Sequence, residues 1–234
     1  MSDTPNANTP NVATPAATTD ANKWPGAFAA YGKAYDAVKK NIQPALVVVG
    51  AYVAVALLNS VIQGKTPADE GYKSSGEAIV GLVFLLAMVV YAFAIADKRV
   101  ISVKQFMKFN AGKYFTVLFT SILCSIFAVL SLVLFIVPII WVLPWVYLAI
   151  YAAVDKDLSP MAAIKHSKQL TRDHKGEVWG LIGVGFLLTV GSFIFAVVPV
   201  VGMFLAYAAI MFVSVVSNGA SAMLYRHLEK HNKA

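Results

Sequence analysis

Residues Phe115–Val154 read FTVLFTSILCSIFAVLSLVLFIVPIIWVLPWVYLAIYAAV, a run of 40 residues without one charged side chain. A helix needs about 20 mostly apolar residues to cross a hydrocarbon layer about 30 Å thick. The run is too long for one crossing and suits two. Pro138 is the natural turn between them, because proline has no N–H and clashes with the preceding helical turn. The two halves are then Phe115–Val137 and Ile139–Val154. The second is short, at 16 residues, and carries Pro144, which predicts a kink or a locally thinned bilayer.

Working outward, four more stretches meet the same test: Ile42–Ile62, Ala78–Ala96, Val178–Val198 and Met203–Leu224. None of the six contains Asp, Glu, Lys or Arg. Pro199 and Gly202 mark the turn between the last two. The composition agrees: 59% of the chain is hydrophobic and 13% charged. Soluble domains are roughly half apolar and about a quarter charged. This excludes an ordinary water-soluble globule, a disordered chain and a coiled coil. The runs also argue against a transmembrane barrel, whose strands alternate in polarity as these do not. The single cysteine, Cys124, excludes a disulfide framework and a Cys-rich metal site.

The expected architecture is therefore all-α: a polytopic membrane protein with six transmembrane helices arranged as three hairpins. Residues 1–22 form a Thr-, Asn-, Ala- and Pro-rich tail that cannot bury a core and reads as disordered. It lacks the basic start and apolar run of a signal peptide. Residues 23–228 make the membrane domain and 229–234 a C-terminal tail. Of the 19 Lys and Arg, 17 lie before the first span, after the last, or in the segments after the second and fourth. Only Lys65 and Lys73 lie on the other side. The positive-inside rule puts both termini in the cytoplasm. The net charge of +7 then belongs to an anionic lipid leaflet, with nucleic acid not expected as a partner.

Each basic segment contains an amphipathic stretch that runs into a span, so each hairpin is expected to follow a cytoplasmic interfacial helix. Phe28, Tyr31, Tyr35, Val38 and Ile42 form one face of the first. Val103, Phe106, Met107 and Asn110 form one face of the second, where Ser102 and Gln105 have capping-box spacing. In the third, Ser159 is an N-cap followed by Pro160 at the first helical position. Ala163, Ile164, Ser167, Leu170 and Thr171 make its inward face; Lys165, Lys168, Gln169 and Arg172 make the opposite one. The layout reads as a threefold internal repeat. The turns of the second and third hairpins, FIVPI and AVVPV, support it.

The third segment, Asp155–Thr171, reads DKDLSPMAAIKHSKQLT. With Asp155, Pro160, Ala163, Ser167, Leu170 and Thr171 in place, it resembles the cytoplasmic signature of a group of polytopic membrane proteins of unknown function. That group comprises the YciC-like proteins and the membrane domains attached to some glycerophosphodiester phosphodiesterases. The resemblance covers about Tyr35–Leu228 but is specific only in this stretch. It implies six spans and a bacterial plasma membrane. It implies no activity, because the phosphodiesterase chemistry belongs to a separate soluble domain.

No residue set calls for catalysis. Ser167 reads as a packing residue, since small side chains let helices approach closely and no base is placed to activate it. His227 and His231 could share a helix face, but zinc usually needs three or four ligands. Gly180, Gly183 and Gly185 follow no strand and make no dinucleotide loop. Asn59 and Asn218 are the costliest polar groups within the spans and the candidate intramembrane polar site. Trp24, Trp141, Trp145 and Trp179 fit interfacial anchors, and Trp141 and Trp145 also fit the buried side of a bent span. The expected function is a non-enzymatic membrane component: a scaffold, or a protein binding lipid or a protein partner. Lys165, Lys168 and Arg172 are its candidate headgroup contacts, and no cofactor or metal is called for. The alternative is a passive transporter or channel-like permease for a small or lipidic solute. An intramembrane enzyme ranks last, for want of paired acids, a His–Cys pair or metal ligands.

Overall fold

The computed structural model describes residues 24–67, 69, 71–108, 110–133, 136–198 and 201–232. The tail 1–22 and Pro199 fall outside them. All regular structure among the described residues is helical. In order, the helices are α1 (Ala27–Lys40), α2 (Ile42–Gln63), α3 (Ser75–Ala96), α4 (Val103–Phe106), α5 (Ala111–Val133), α6 (Ile136–Tyr147), α7 (Ala149–Asp155), α8 (Pro160–Thr171), α9 (Lys175–Ser192) and α10 (Val201–His231). A 3₁₀ turn, Phe193–Val197, extends α9. Five segments are long and apolar enough to cross a membrane: Ile42–Gln63, Ser75–Ala96, Ala111–Ser131, Lys175–Val197 and Val201–His231. The sixth expected span is a shorter apolar stretch, Ile140–Asp155.

That stretch is broken in two. Pro144 sits inside α6, and the helix stops at Tyr147 and restarts at Ala149. Proline supplies no N–H to the carbonyl four residues back. Here that carbonyl belongs to Ile140, and the Trp179 indole N–H donates to it at 3.2 Å. The side chain of α9 thus replaces the bond that the proline removes. Pro138 does not mark the turn as expected: α6 already begins at Ile136, which places Pro138 in a first helical turn, where proline is tolerated.

The second short helix is also less than its sequence pattern suggests. The Ser102–Gln105 capping box forms, and Phe106 is buried, but α4 ends there after 4 residues. Asn110 does not extend it. Its side chain caps the next helix, accepting from the Lys113 N–H at 3.2 Å. Met107 is left exposed.

α10 is the central mast, packed against α1, α2, α3 and α9. Gly219 allows the close approach to α3: a Cβ there would lie 2.8 Å from the Ile95 side chain. A Cβ at Gly202 would collide with the Phe195 carbonyl oxygen, so glycine is needed where the 3₁₀ turn leads into α10. Phe93 sits edge-on to Tyr151 and Tyr225, with ring centroids 5.9 and 5.8 Å away. Large apolar side chains point outward along α2, α9 and the 3₁₀ turn, with Val61 81%, Phe186 67% and Val197 80% exposed. In water such contiguous apolar surface is rare; in a membrane it faces hydrocarbon. α10 also runs through the first residues of the expected 229–234 tail. Glu229 is a buried member of its last turn, not part of a solvated extension.

Candidate functional site

α8 lies at the end of the bundle that holds both described chain ends, where Trp24 meets His227 at 5.3 Å. Its spacing produces the two faces that the pattern predicts. Ala163, Ser167, Leu170 and Thr171 are buried, and Ile164 is partly so. Lys165, Lys168 and Arg172 are exposed. Ser159 takes the extended N-cap conformation without making a side-chain cap bond, and Pro160 opens the helix. Ser167 has no exposed surface, and its hydroxyl has no hydrogen-bond partner. Its carbonyl accepts from the Thr171 hydroxyl at 2.9 Å. It is a contact residue, as its small size suggests.

The exposed face of α8 forms one wall of a cleft of about 430 Å³ with α6 and the start of α9. Lys165, Lys168, Arg172 and Lys175 line it together with Trp141 and Trp145. The Lys168 ammonium lies 4.2 Å from the centre of the Trp145 ring, and that of Lys175 3.7 Å from the centre of Trp141. Cation–π contacts of this kind are worth about 0.5–2 kcal/mol. None of the four basic residues makes an ion pair among the described residues. Two carboxylates nearby in sequence, Asp173 and Glu177, do not line the cleft, and Glu177 is taken by His174 at 3.2 Å. Lys175 also opens α9, where the helix dipole disfavours a cation. The field of the cleft is uniformly positive and complements an anion set beside an apolar body.

On the other side of α8, acids and bases pair between α7, α8 and α10. Glu229 of α10 accepts from Lys156 at 2.7 Å and pairs with His166 at 3.0 Å. Arg226 reaches Asp155 at 2.7 Å and Asp97 at 3.1 Å, and its guanidinium lies 4.6 Å from the Phe93 ring centre. The Tyr225 hydroxyl donates to Asp155 at 3.0 Å. Asp155, singled out in the sequence, therefore ties the end of α7 to α10. Its partners, and the whole Glu229 cluster, were not legible there.

Asn59 and Asn218 do not meet. Asn59 lies toward the opposite end of the bundle, where its amide donates to Glu77 at 3.1 Å. Glu77 is buried in the first turn of α3 and also accepts from the Tyr72 hydroxyl. Asn218 is in mid-helix. Its amide donates to the Ser214 carbonyl at 2.8 Å and its oxygen accepts from Tyr151 at 3.0 Å. A third asparagine, Asn41, was missed as a structural residue. Buried between α1 and α2, it donates to the Arg99 carbonyl at 3.0 Å and accepts from the Ile101 N–H at 2.9 Å. Among the described residues no group of three or more His, Cys, Asp and Glu could hold a metal ion. No family model, curated protein or solved structure matches the chain.

Proposed function

We propose that this protein is a non-enzymatic component of a bacterial plasma membrane that binds anionic phospholipid headgroups in the cleft between α6, α8 and α9. One observation carries the reading: four cations line one cleft with two tryptophan rings, two of them directly over those rings, and no carboxylate lines it. A phosphate would neutralise the cations, and the Trp faces would lie against the glycerol and upper acyl region. Six spans, counting the broken α6–α7 pair, and cytoplasmic termini complete the reading. The basic asymmetry supports it, because the cleft then opens on the leaflet that carries anionic lipid. The order of one short and two longer helices, met three times, supports three hairpins, each behind an interfacial helix. The resemblance of Asp155–Thr171 to the YciC-like group fits the same setting.

The test is lipid selectivity in nanodiscs. Quenching of tryptophan fluorescence by brominated phosphatidylglycerol, but not by brominated phosphatidylcholine, is the expected result. Replacing Lys165, Lys168, Arg172 and Lys175 by Gln removes about 1 kcal/mol each, so selectivity should fall by up to about a thousandfold. Equal quenching by both lipids in the unaltered protein sinks the proposal. Orientation is tested separately with Lys168→Cys in a Cys124→Ala background. An impermeant maleimide should label it in inverted vesicles and not in intact cells.

A further inference from the structure

We infer that the open pocket bordered by α5, the α6–α7 break and α10 is a binding site for a small neutral polyol. It shares no lining residue with the headgroup cleft and does not depend on it. The pocket measures about 320 Å³. Ser121, Cys124 and Ser125 of α5 line one wall; Tyr147, Tyr151 and Asn218 stand among the residues of the other. A second space of about 240 Å³ shares Tyr147, Ser217 and Asn218 as lining residues, so these three border both.

Hydroxyl bonding points to a ligand. In an apolar helix a Ser or Thr hydroxyl can satisfy itself on the carbonyl four residues earlier. Thr120 and Ser131 do so on α5, at 2.7 Å each, as do Thr189 on α9 and Ser214 on α10. Ser121 and Ser125 make no hydrogen bond within the described residues, although both face the pocket. They stand one helical turn apart, a rise of about 6 Å. Leaving such groups unpaired in a membrane is costly.

The facing wall is already ordered. Tyr147 bonds Ser221 at 2.8 Å, and Tyr151 donates to the Asn218 oxygen at 3.0 Å. These bonds fix the oxygens in place and leave lone pairs free to accept. One wall therefore offers unengaged hydroxyls and the other offers oriented acceptors.

The lining contains no Lys, Arg, Asp, Glu or His. A charged ligand would lose its hydration with no counter-charge in return. An apolar one would leave the serine hydroxyls unpaired. A neutral molecule carrying several hydroxyls, each both donor and acceptor, satisfies both walls. The volume admits a chain of roughly three to five carbons.

Cys124, the only cysteine in the chain, lines the pocket and reports on it. The full-length protein would be reconstituted in phosphatidylcholine alone, so that the anionic-lipid reading has no part in the outcome. A small hydrophilic methanethiosulfonate should modify Cys124. Xylitol should slow that reaction saturably, by about fivefold. Xylonate, its charged counterpart, should not. The Ser121→Ala/Ser125→Ala variant should keep the unprotected rate and lose the protection. Ser125→Ala alone, at an exposed position, should lose part of it and covers the case in which the double variant fails to fold. A Cys124 that hydrophilic reagent never reaches overturns the inference. So does protection that xylonate matches or that survives both variants.

Discussion

The two sides of α8 carry similar residues and meet opposite fates. On the side toward α10, Lys156 and His166 close on Glu229, and Arg226 closes on Asp155 and Asp97. On the side toward α6, Lys165, Lys168, Arg172 and Lys175 line an open cleft, with Lys168 and Lys175 over tryptophan rings. Charges matched within the chain hold helices together. Charges left unmatched beside aromatic rings are available to something outside it. The contrast separates a structural seam from a binding surface by partner inventory alone, and it predicts that the two sides respond differently to substitution.

The largest effect should come from the seam. Glu229→Ala leaves Lys156 and His166 facing each other without their carboxylate. Breaking a buried pair costs about 3–5 kcal/mol, and the half-buried Lys156 brings the expectation to about 2–4 kcal/mol. A melting temperature in detergent close to that of the unaltered protein would erase the distinction. Ser167→Leu comes next. With no exposed surface at Ser167, the larger side chain overpacks the contact at a cost of about 1–3 kcal/mol.

Trp179→Phe should cost about 1 kcal/mol, since it orphans the Ile140 carbonyl. Adding Pro144→Ala restores an N–H to that carbonyl, so the double variant should recover part of the loss. Strict additivity in the double-mutant cycle would show that the two residues are not coupled. The smallest effect belongs to the cleft. Lys168→Ala should change stability by less than about 0.5 kcal/mol while weakening the preference for anionic lipid. A stability loss larger than that of Ser167→Leu would mean that the two faces of α8 have exchanged roles.

How much of this the sequence revealed follows from the range of each interaction. The long apolar helices were legible because each is written in about 20 consecutive residues. The two faces of α8 were legible because helical spacing is local, and Lys165, Lys168 and Arg172 fell where expected. Trp141, Trp145 and Lys175 were not joined to them, because nothing local says that α6 packs beside α8. Glu229 looked like part of a tail, since its partners lie 73 and 63 residues away. Pro144 announced a disturbance, but not that Trp179 takes over the freed Ile140 carbonyl or that the break falls at Leu148. Asn110 fitted the face of one helix and serves as the cap of another.

The seam on α10 also has a meaning in time. A ribosome releases the chain from its N-terminus, so Asp155, Lys156 and His166 emerge long before Arg226 and Glu229. A nascent protein halted at Leu224 already owns every apolar helix and can insert each of them. Asp155, Lys156 and His166 still await their partners in the last two turns of α10. Synthesis through Glu229 is therefore what latches this end of the bundle, and a chain halted at Leu224 is inserted yet unlatched.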